Sequence, residues 1–481
     1  LYTSNPEQRL RQEIVLGMGG MRVLGALGIR PAVLHLNEGH PVLAVLERIR
    51  TLVEDGASFE EATQRVREST IFTTHTPVLA GTDVFPFQLV DRYLGEYYTR
   101  LGTDRDTFLQ LGANPQDPGA GFNMTVFALR MAQFRNAVSQ RHGQVARKMW
   151  AGLWPEKKEE VPIEAITNGV HLPSWIEPIR LQPLLTRYLG PAWPAHQDRP
   201  AVWELVDEIP DAELWQLHQE LKGALIAQID QRARARWQQD RVAACNVIAF
   251  GALLDPEILT LGFARRFTGY KRPDLILYNL ERLKRLLTDP LRPVQIIFAG
   301  KAHPADLEGR RLIQKIFRLA QNPEFAGRIA FVENYDQQLA EYMVHGVDVW
   351  LNNPLPPLEA SGTSGMKASV NGTPNLSILD GWWIEGYNRA NGWAFGGDEI
   401  EGDRTQADAE ALYHLLEEKV IPLYYQRSDE GVPHGFVQVM KAAIKSVAPA
   451  FSTRRMVKEY VNRFYVQALD LKGKESLEGR E

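Results

Sequence analysis

The sequence predicts an α/β protein built on largely parallel sheets, and three observations carry that expectation. Short apolar runs alternate with amphipathic stretches along most of the 481 residues, the rhythm of strands joined by crossover helices. A chain this long exceeds what one hydrophobic core organises, so two large domains are expected. With 44% hydrophobic and 23% charged residues, the composition is that of a globular fold.

Taken in order, AVLHL (32–36) reads as a buried strand followed by a helix over 40–53. STIFTT (69–74) is a second strand, ending in the loop HTPVLAGTD. Residues 124–150 carry one long helical pattern, and EAITN (164–168) is another short strand. The proline-rich stretch 172–200 marks a domain boundary. A long polar helix over 211–239 is expected to lie across the surface. Five strands then alternate with helices, at 258–264, 294–300, 328–332, 347–352 and 375–379, which is a doubly wound, Rossmann-like domain. Helices over 432–446 and 452–469 close the chain. The expected organisation is therefore a first lobe over 1–190, a linker and helix over 191–240, a second lobe over 241–450 and a closing helix and tail over 451–481. Two Rossmann-like lobes facing a catalytic cleft follow. The first is expected to be incomplete, because a helical pattern begins almost at Leu1 with no strand before it.

Composition also excludes. A net charge of −5 argues against a general polyanion binder. A single cysteine, Cys245, leaves no intrachain disulfide, fits a reducing cytoplasm, and is expected as a buried thiol. No apolar run reaches membrane-spanning length, and the polar start lacks a signal-peptide pattern. No HExxH or CxxC spacing supports a metal site, and no GxSxG elbow supports a serine hydrolase.

Ligands of doubly wound sheets sit beyond the carboxyl ends of the strands, so the loops there carry the chemistry. In EASGTSGMK (359–367), Gly362, Thr363, Ser364 and Gly365 lead into a short helix whose amides suit a phosphate monoester, with the Lys367 amine close behind. It is not a P-loop, since Met366 separates the glycine from the lysine. An ordinary Gly-rich turn with a solvated lysine fits the same spacing. In ARRFTGYKRPDL (264–275), Arg265, Arg266, Lys271 and Arg272 make a dense positive patch that could hold a dianion. Nucleic acid is disfavoured, because no aromatic platforms interleave with the patch. Glu38, His40, His75, Asn168, Tyr270, Glu359 and Ser361 add the mixed donors and acceptors that sugar hydroxyls need.

These loops, in this order, resemble the glycogen and maltodextrin phosphorylase family over nearly the whole chain, and its bacterial branch most. The resemblance implies the two-lobed GT-B type of architecture and pyridoxal 5'-phosphate carried on Lys367. It implies Glu359, Ser361 and Gly362 on glucose hydroxyls, and Thr363 and Ser364 at the coenzyme phosphate. ARRFTGYKR is similar to the family's phosphate segment, implying Arg265 near the coenzyme phosphate, Arg266 and Lys271 on the substrate phosphate and Tyr270 on a glucose hydroxyl. Thr268 and Gly269 stand where the family often has histidine and glutamate. HLNEGHP, TTHTP and ITNGVH place Glu38, His40, His75 and Asn168 at glucose-contacting positions, His75 counting among the catalytic group. ENYD puts Tyr335 by the coenzyme ring, with Asp336 replacing an arginine of animal relatives.

The implied activity is reversible phosphorolysis of α-glucan by inorganic phosphate to glucose 1-phosphate, in the cytoplasm, with no metal, nucleic acid or membrane partner and with a homodimer left open. The family's first lobe begins with some two hundred further residues, so a chain entered partway through that lobe is expected. Two rival readings stand beside this one. One is a retaining, sugar-nucleotide-dependent transferase of the same build. The other is a glucan-binding fragment without turnover.

Overall fold

The computed structural model describes residues 5–78, 81–157, 160–240, 243–396 and 402–470. The chain divides into two compact units, one comprising Leu1–Thr167 with Met456–Glu481 and the other Asn168–Arg455.

In the first unit the strands follow as β1 (Leu34–Asn37), β2 (Thr70–Thr73), β3 (Val84–Phe85), β4 (Ala113–Asn114), β5 (Asp117–Asn123), β6 (Phe134–Ala137) and β7 (Glu164–Ala165). β1, β2, β6 and β7 form an all-parallel sheet in that order, while β3, β5 and β4 form a small antiparallel one. Parallel strands need a helix on each crossover. The helix Ala44–Glu54 buries Val45, Leu46 and Ile49. A capping box of Ser58 and Glu61 starts the helix Phe59–Glu68, whose Phe59, Ala62 and Val66 face inward.

The expected single helix over 124–150 is interrupted. Helices Met124–Met131 and Gln140–Trp150 flank β6, which lies inside the sheet between β2 and β7. Its sequence, FRNA, is too polar to register as a buried strand. The polarity is satisfied locally: Asn136 accepts from Thr73 Oγ1 at 2.8 Å and donates to the Tyr460 hydroxyl at 3.0 Å.

The second unit carries β8 (Leu259–Ala264), β9 (Val294–Ala299), β10 (Ile329–Val332), β11 (Val349–Asn352), β12 (Asn375–Ile378) and β13 (Gly392–Phe395). All are parallel, in the order β10-β9-β8-β11-β12-β13. The connection reverses direction between β8 and β11, and ligands of such sheets bind at that reversal. The strand β13 was not expected: it is a short edge strand with Trp393 and Ala394 only half buried.

Three further expectations are corrected. The first lobe closes at Thr167 rather than 190. Val170, Leu172, Ile176, Leu181, Leu184 and Leu185 belong to the core that holds Leu261 and Phe298 of the second sheet. Conversely, the helix through Tyr460 and Phe464 packs on Ile71 and Ile166 of the first unit, and the remainder of the expected tail, 471–481, lies outside the described residues. The helix Asp211–Asp240 does more than lie across the surface: one face buries Leu221, Leu225 and Ile229, while its last turns, 234–239, are exposed. Part of its polar look belongs to a buried network: Lys222 donates to Asp348 Oδ2 at 2.6 Å, to the Ile258 carbonyl at 2.6 Å and to the Tyr424 hydroxyl at 2.9 Å. Cys245 is exposed, not buried. Among the described residues no helix is long and apolar enough to cross a membrane.

Candidate active site

The loops after β8 and β11 meet at the reversal point of the second sheet. The chain leaves β8 at Arg265 and turns through Gly269–Lys271 into Arg272, which adopts a left-handed conformation at φ 44°. That strain is held in place by the second loop. Arg272 donates from Nε to the Asn353 carbonyl at 2.9 Å and from Nη2 to Pro354 O at 3.0 Å and Asp408 Oδ2 at 2.7 Å. The Leu355 amide donates back to the Tyr270 carbonyl at 2.7 Å. Arg272 is therefore the fastener between the two loops, while its Nη1 is buried with no partner among the described residues.

With the loops joined, Glu359 comes between two cations. Its Oε2 accepts from Arg265 Nη2 at 2.7 Å and from Lys271 Nζ at 2.5 Å, and its amide donates to Asp380 Oδ2 at 2.9 Å. Burial alone pushes the Glu359 carboxyl up, but the charges of Arg265 and Lys271 outweigh it and hold the group below the usual carboxylate range. Burial, then the neighbouring Arg265, pull Lys271 down to about 8 despite Glu359. The Lys271 ammonium also sits 4.6 Å from the Tyr270 ring centroid. Arg266, next in sequence, is exposed.

Gly362 caps the following helix, Thr363–Ser369, in a left-handed conformation at φ 83°. A side chain there would be strained and would meet Glu359 Cγ at 3.3 Å. The helix is fixed by Asn375, which donates to Gly365 O at 3.1 Å and Ser369 Oγ at 2.7 Å, and by Trp350 Nε1, which donates to Ser364 Oγ at 3.3 Å. First-turn amides of such a helix lack intrahelical acceptors.

Lys367 points at Trp175, its amine 3.5 Å from the ring centroid. One side chain sets that contact. Asn371 donates to both the Lys367 carbonyl at 2.8 Å and the Trp175 carbonyl at 2.7 Å, and accepts from the Glu177 amide at 2.9 Å. Burial lowers the Lys367 pKa. A lysine amine that loses its proton more readily is suited to condensing with an aldehyde. Nearby polar groups also lack partners: Arg265 Nη1 and Ser361 Oγ are buried with no hydrogen bond among the described residues. An anionic, hydroxyl-bearing ligand would satisfy both, so the residues present fit a phosphorylated aldehyde. Burial pushes the Tyr335 phenol up to about 12, and Asp336 beside it caps the helix Gln337–Gly346 through the Leu339 amide at 2.8 Å.

Asn168 begins the second unit, its carbonyl accepting from Arg455 at 3.2 Å. The remaining expected residues lie in the first unit. Glu38, left-handed at φ 64°, follows β1, and His75 follows β2. The Glu38 carboxylate accepts from the His75 amide, and His75 Nε2 lies 3.1 Å from Asn37 Oδ1. Burial lowers the His75 pKa against the opposing pull of Glu38, leaving a ring suited to neutral hydrogen bonding.

His40 is committed elsewhere in that unit. Its Nδ1 lies 2.9 Å from Asp83 Oδ2 and 3.3 Å from Glu13 Oε1. These three side chains bring ligand atoms within 4.8 Å of one another, a spacing open to a metal ion. The Arg9 guanidinium already sits among them, 3.1 Å from Glu13 and 3.0 Å from Asp83, and supplies the positive charge itself.

The structure thus gathers Arg265, Tyr270, Lys271, Glu359 and Gly362 at one strand-end site, pairs Lys367 with Trp175, pairs Glu38 with His75, and ties His40 to Glu13 and Asp83. Sequence reasoning missed Trp175, Asn371 and Asn37. Trp175 sits in a proline-rich stretch that read as a boundary, and nothing in its spacing pointed to Lys367.

Fold and site together define a Rossmann-like α/β protein with a recessed cation cluster at its strand ends and a desolvated lysine on the helix that follows. Over residues 29–419 the chain matches the carbohydrate phosphorylase family, and it belongs to that family. It is 52% identical over 473 residues to a glycogen phosphorylase of Aquifex aeolicus, covering 98% of this chain and 68% of the relative. It is 47% identical to a maltodextrin phosphorylase of Thermococcus litoralis, covering 98% of this chain and 55% of the relative. A glycogen phosphorylase of Mycobacterium bovis is 43% identical, over 97% of this chain and 55% of its own length. The chain thus spans little more than half the length of the latter two relatives.

Proposed function

We propose that this polypeptide forms the catalytic body of an α-glucan phosphorylase, a glycosyltransferase that moves glucosyl units reversibly between α-1,4-glucan and phosphate, yielding glucose 1-phosphate. The observation that carries the reading is the Arg265–Glu359–Lys271 triad at the reversal point of one parallel sheet, on the loop that leads through Gly362 into the helix bearing the desolvated Lys367.

In this reading Lys367 holds pyridoxal 5'-phosphate covalently, Arg265 and the amides of Thr363 and Ser364 hold its phosphate, and Tyr335 flanks its ring. When bound, the coenzyme supplies a phosphate group able to exchange a proton with the substrate phosphate. Arg266 and Lys271 bind that substrate phosphate, and the local positive charge offsets the repulsion between two neighbouring dianions. Tyr270, Glu359, Ser361, Gly362 and Asn168 bind hydroxyls of the transferred glucose. In the first unit the same reading gives Glu38, His40 and His75 sugar hydroxyls to bind. With its phosphate oriented by these cations, the substrate yields a proton to the glycosidic oxygen. A phosphate oxygen then takes the anomeric carbon with retained configuration. Glu359 is held by two cations and serves as a hydroxyl acceptor, not a nucleophile. A cytoplasmic site of action fits the single cysteine.

The test is phosphate-dependent release of glucose 1-phosphate from maltodextrin by the whole protein, together with loss of the coenzyme's absorbance and of borohydride trapping in Lys367→Ala. Release of free glucose without phosphate consumption would refute phosphorolysis.

A further inference from the structure

A recess of about 470 Å³ opens in the first unit between the helices Phe59–Glu68, Arg105–Gly112 and Met124–Met131 and the turn at Trp154. It borders the amino end of β6, whereas Glu38 and His75 follow the carboxyl ends of strands in the same parallel sheet. It is therefore separate from them.

Its lining concentrates unmet polar groups. Arg135, only 5% exposed, donates from Nε to the Leu129 carbonyl at 2.6 Å and from Nη1 to the Gln133 carbonyl at 3.2 Å. Its Nη2 is buried with no acceptor. Its guanidinium stacks 5.1 Å from the Trp154 ring centroid. Thr63 Oγ1 and Arg67 Nε, lining the same recess, are also buried without partners. A threonine inside a helix can return its hydroxyl to a carbonyl one turn back, yet Thr63 does not. The third arginine, Arg130, reaches the Leu111 carbonyl at 2.9 Å.

Among the described residues no carboxylate pairs with Arg67, Arg130 or Arg135. The one acidic lining residue, Glu60, is exposed at the rim. Three guanidiniums against one carboxylate leave two positive charges in surplus. Buried guanidinium groups without a counter-ion are costly, and so are buried donors without acceptors. Stacking on Trp154 accounts for Arg135 alone. It does not account for the unpartnered atoms of Thr63 and Arg67, two further residues that line the same recess.

We propose that this recess binds a phosphate dianion, free or as the monoester of a small metabolite, on Arg67, Arg135 and Thr63. A tetrahedral dianion matches the surplus charge and accepts donors from several directions, where a planar carboxylate would answer half the charge. Burial, and then the charge of Arg67, bring Arg135 down to about 9. An anion would reverse that pressure.

The test uses protein carrying Arg266→Ala and Lys271→Ala, which removes the phosphate-binding cations of the strand-end site. Calorimetric titration with inorganic phosphate, and separately with glycerol 3-phosphate, should reveal one remaining site. Adding Arg67→Gln with Thr63→Val should weaken that site at least tenfold. Tighter binding of the ester assigns the site to an organophosphate, and tighter binding of the free ion to inorganic phosphate; both uphold the proposal. No remaining site, or an affinity unmoved by the added substitutions, overturns it. Should the variants fail to fold, crystals of the unsubstituted protein soaked in tungstate decide the matter. An anomalous peak between Arg67 and Arg135 upholds the proposal, and an empty recess overturns it.

Discussion

Glu359 and Lys271 share the shortest contact of the strand-end site, 2.5 Å, and Arg265 closes on the same carboxylate oxygen at 2.7 Å. Removing the carboxylate leaves two buried cations facing each other. Glu359→Gln should therefore destabilise the fold by about 3–5 kcal/mol, read as a lower urea midpoint at unchanged slope. A midpoint equal to the parent's would mean that the triad contributes nothing.

Lys271 titrates at about 8 in the folded chain, below its ordinary 10.5. Its ammonium is present below that pH and fades above it. If it binds phosphate, the Michaelis constant for phosphate should be flat up to pH 7 and rise steadily above pH 8. Lys271→Arg, whose guanidinium keeps its charge, should flatten that rise. A parent profile flat to pH 10 would remove Lys271 from phosphate binding.

The first unit should lose stability in alkali. Hydrogen bonds that His40 donates to Asp83 and Glu13 raise it to about 9 from its usual 6.5. A raised folded value gives stability that is complete below about pH 6.5 and lost as pH climbs through 9. Burial raises Glu13 to about 7 from 4.5. The cost of ionising it therefore grows between those values, in the same direction. Thermal midpoints should fall between pH 6.5 and 9.5, and His40→Gln should shrink the fall.

Trp175→Leu uncovers Lys367 without touching its bonds. Less desolvation raises the amine's pKa, so if Lys367 carries pyridoxal 5'-phosphate as proposed, its condensation at neutral pH should slow by about tenfold per unit of rise. Stopped-flow absorbance would follow it. An unchanged rate would assign Trp175 a packing role only.

Gly381 has φ 55°, and a side chain there would come within 2.5 Å of the Ser361 carbonyl oxygen. Gly381→Ala should cost about 1–3 kcal/mol and displace Ser361. If Ser361 binds a glucose hydroxyl as proposed, a raised Michaelis constant for glucan would follow, measured in the direction of phosphorolysis.

Five of the six strands of the second sheet were legible because they are apolar runs bounded by turn residues, and the loops after them carried the motifs. β6 was not legible: Arg135 and Asn136 look solvent-facing, and besides the neighbouring Ala137 carbonyl the partners that satisfy the buried asparagine, Thr73 and Tyr460, are far away in sequence. The helix Asp211–Asp240 misled for a similar reason, since the partner that buries Lys222 is Asp348. Within the strand-end site, residue types gave the cations and the carboxylate. They could not give the pairing of Lys271 with Glu359, which depends on Arg272 fastening two loops whose residues are 81 positions apart.

Asn371 precedes Gly372, the dipeptide context in which amide side chains hydrolyse most readily, and its own amide is the clasp between Lys367 and Trp175. Conversion to aspartate would turn two donated hydrogen bonds into oxygen-against-oxygen repulsion at both carbonyls. The side chain is 2% exposed, so burial guards it while the fold is intact. Chemical ageing of partly unfolded molecules would fall on this amide, and refolded molecules would carry a lysine detached from its aromatic floor.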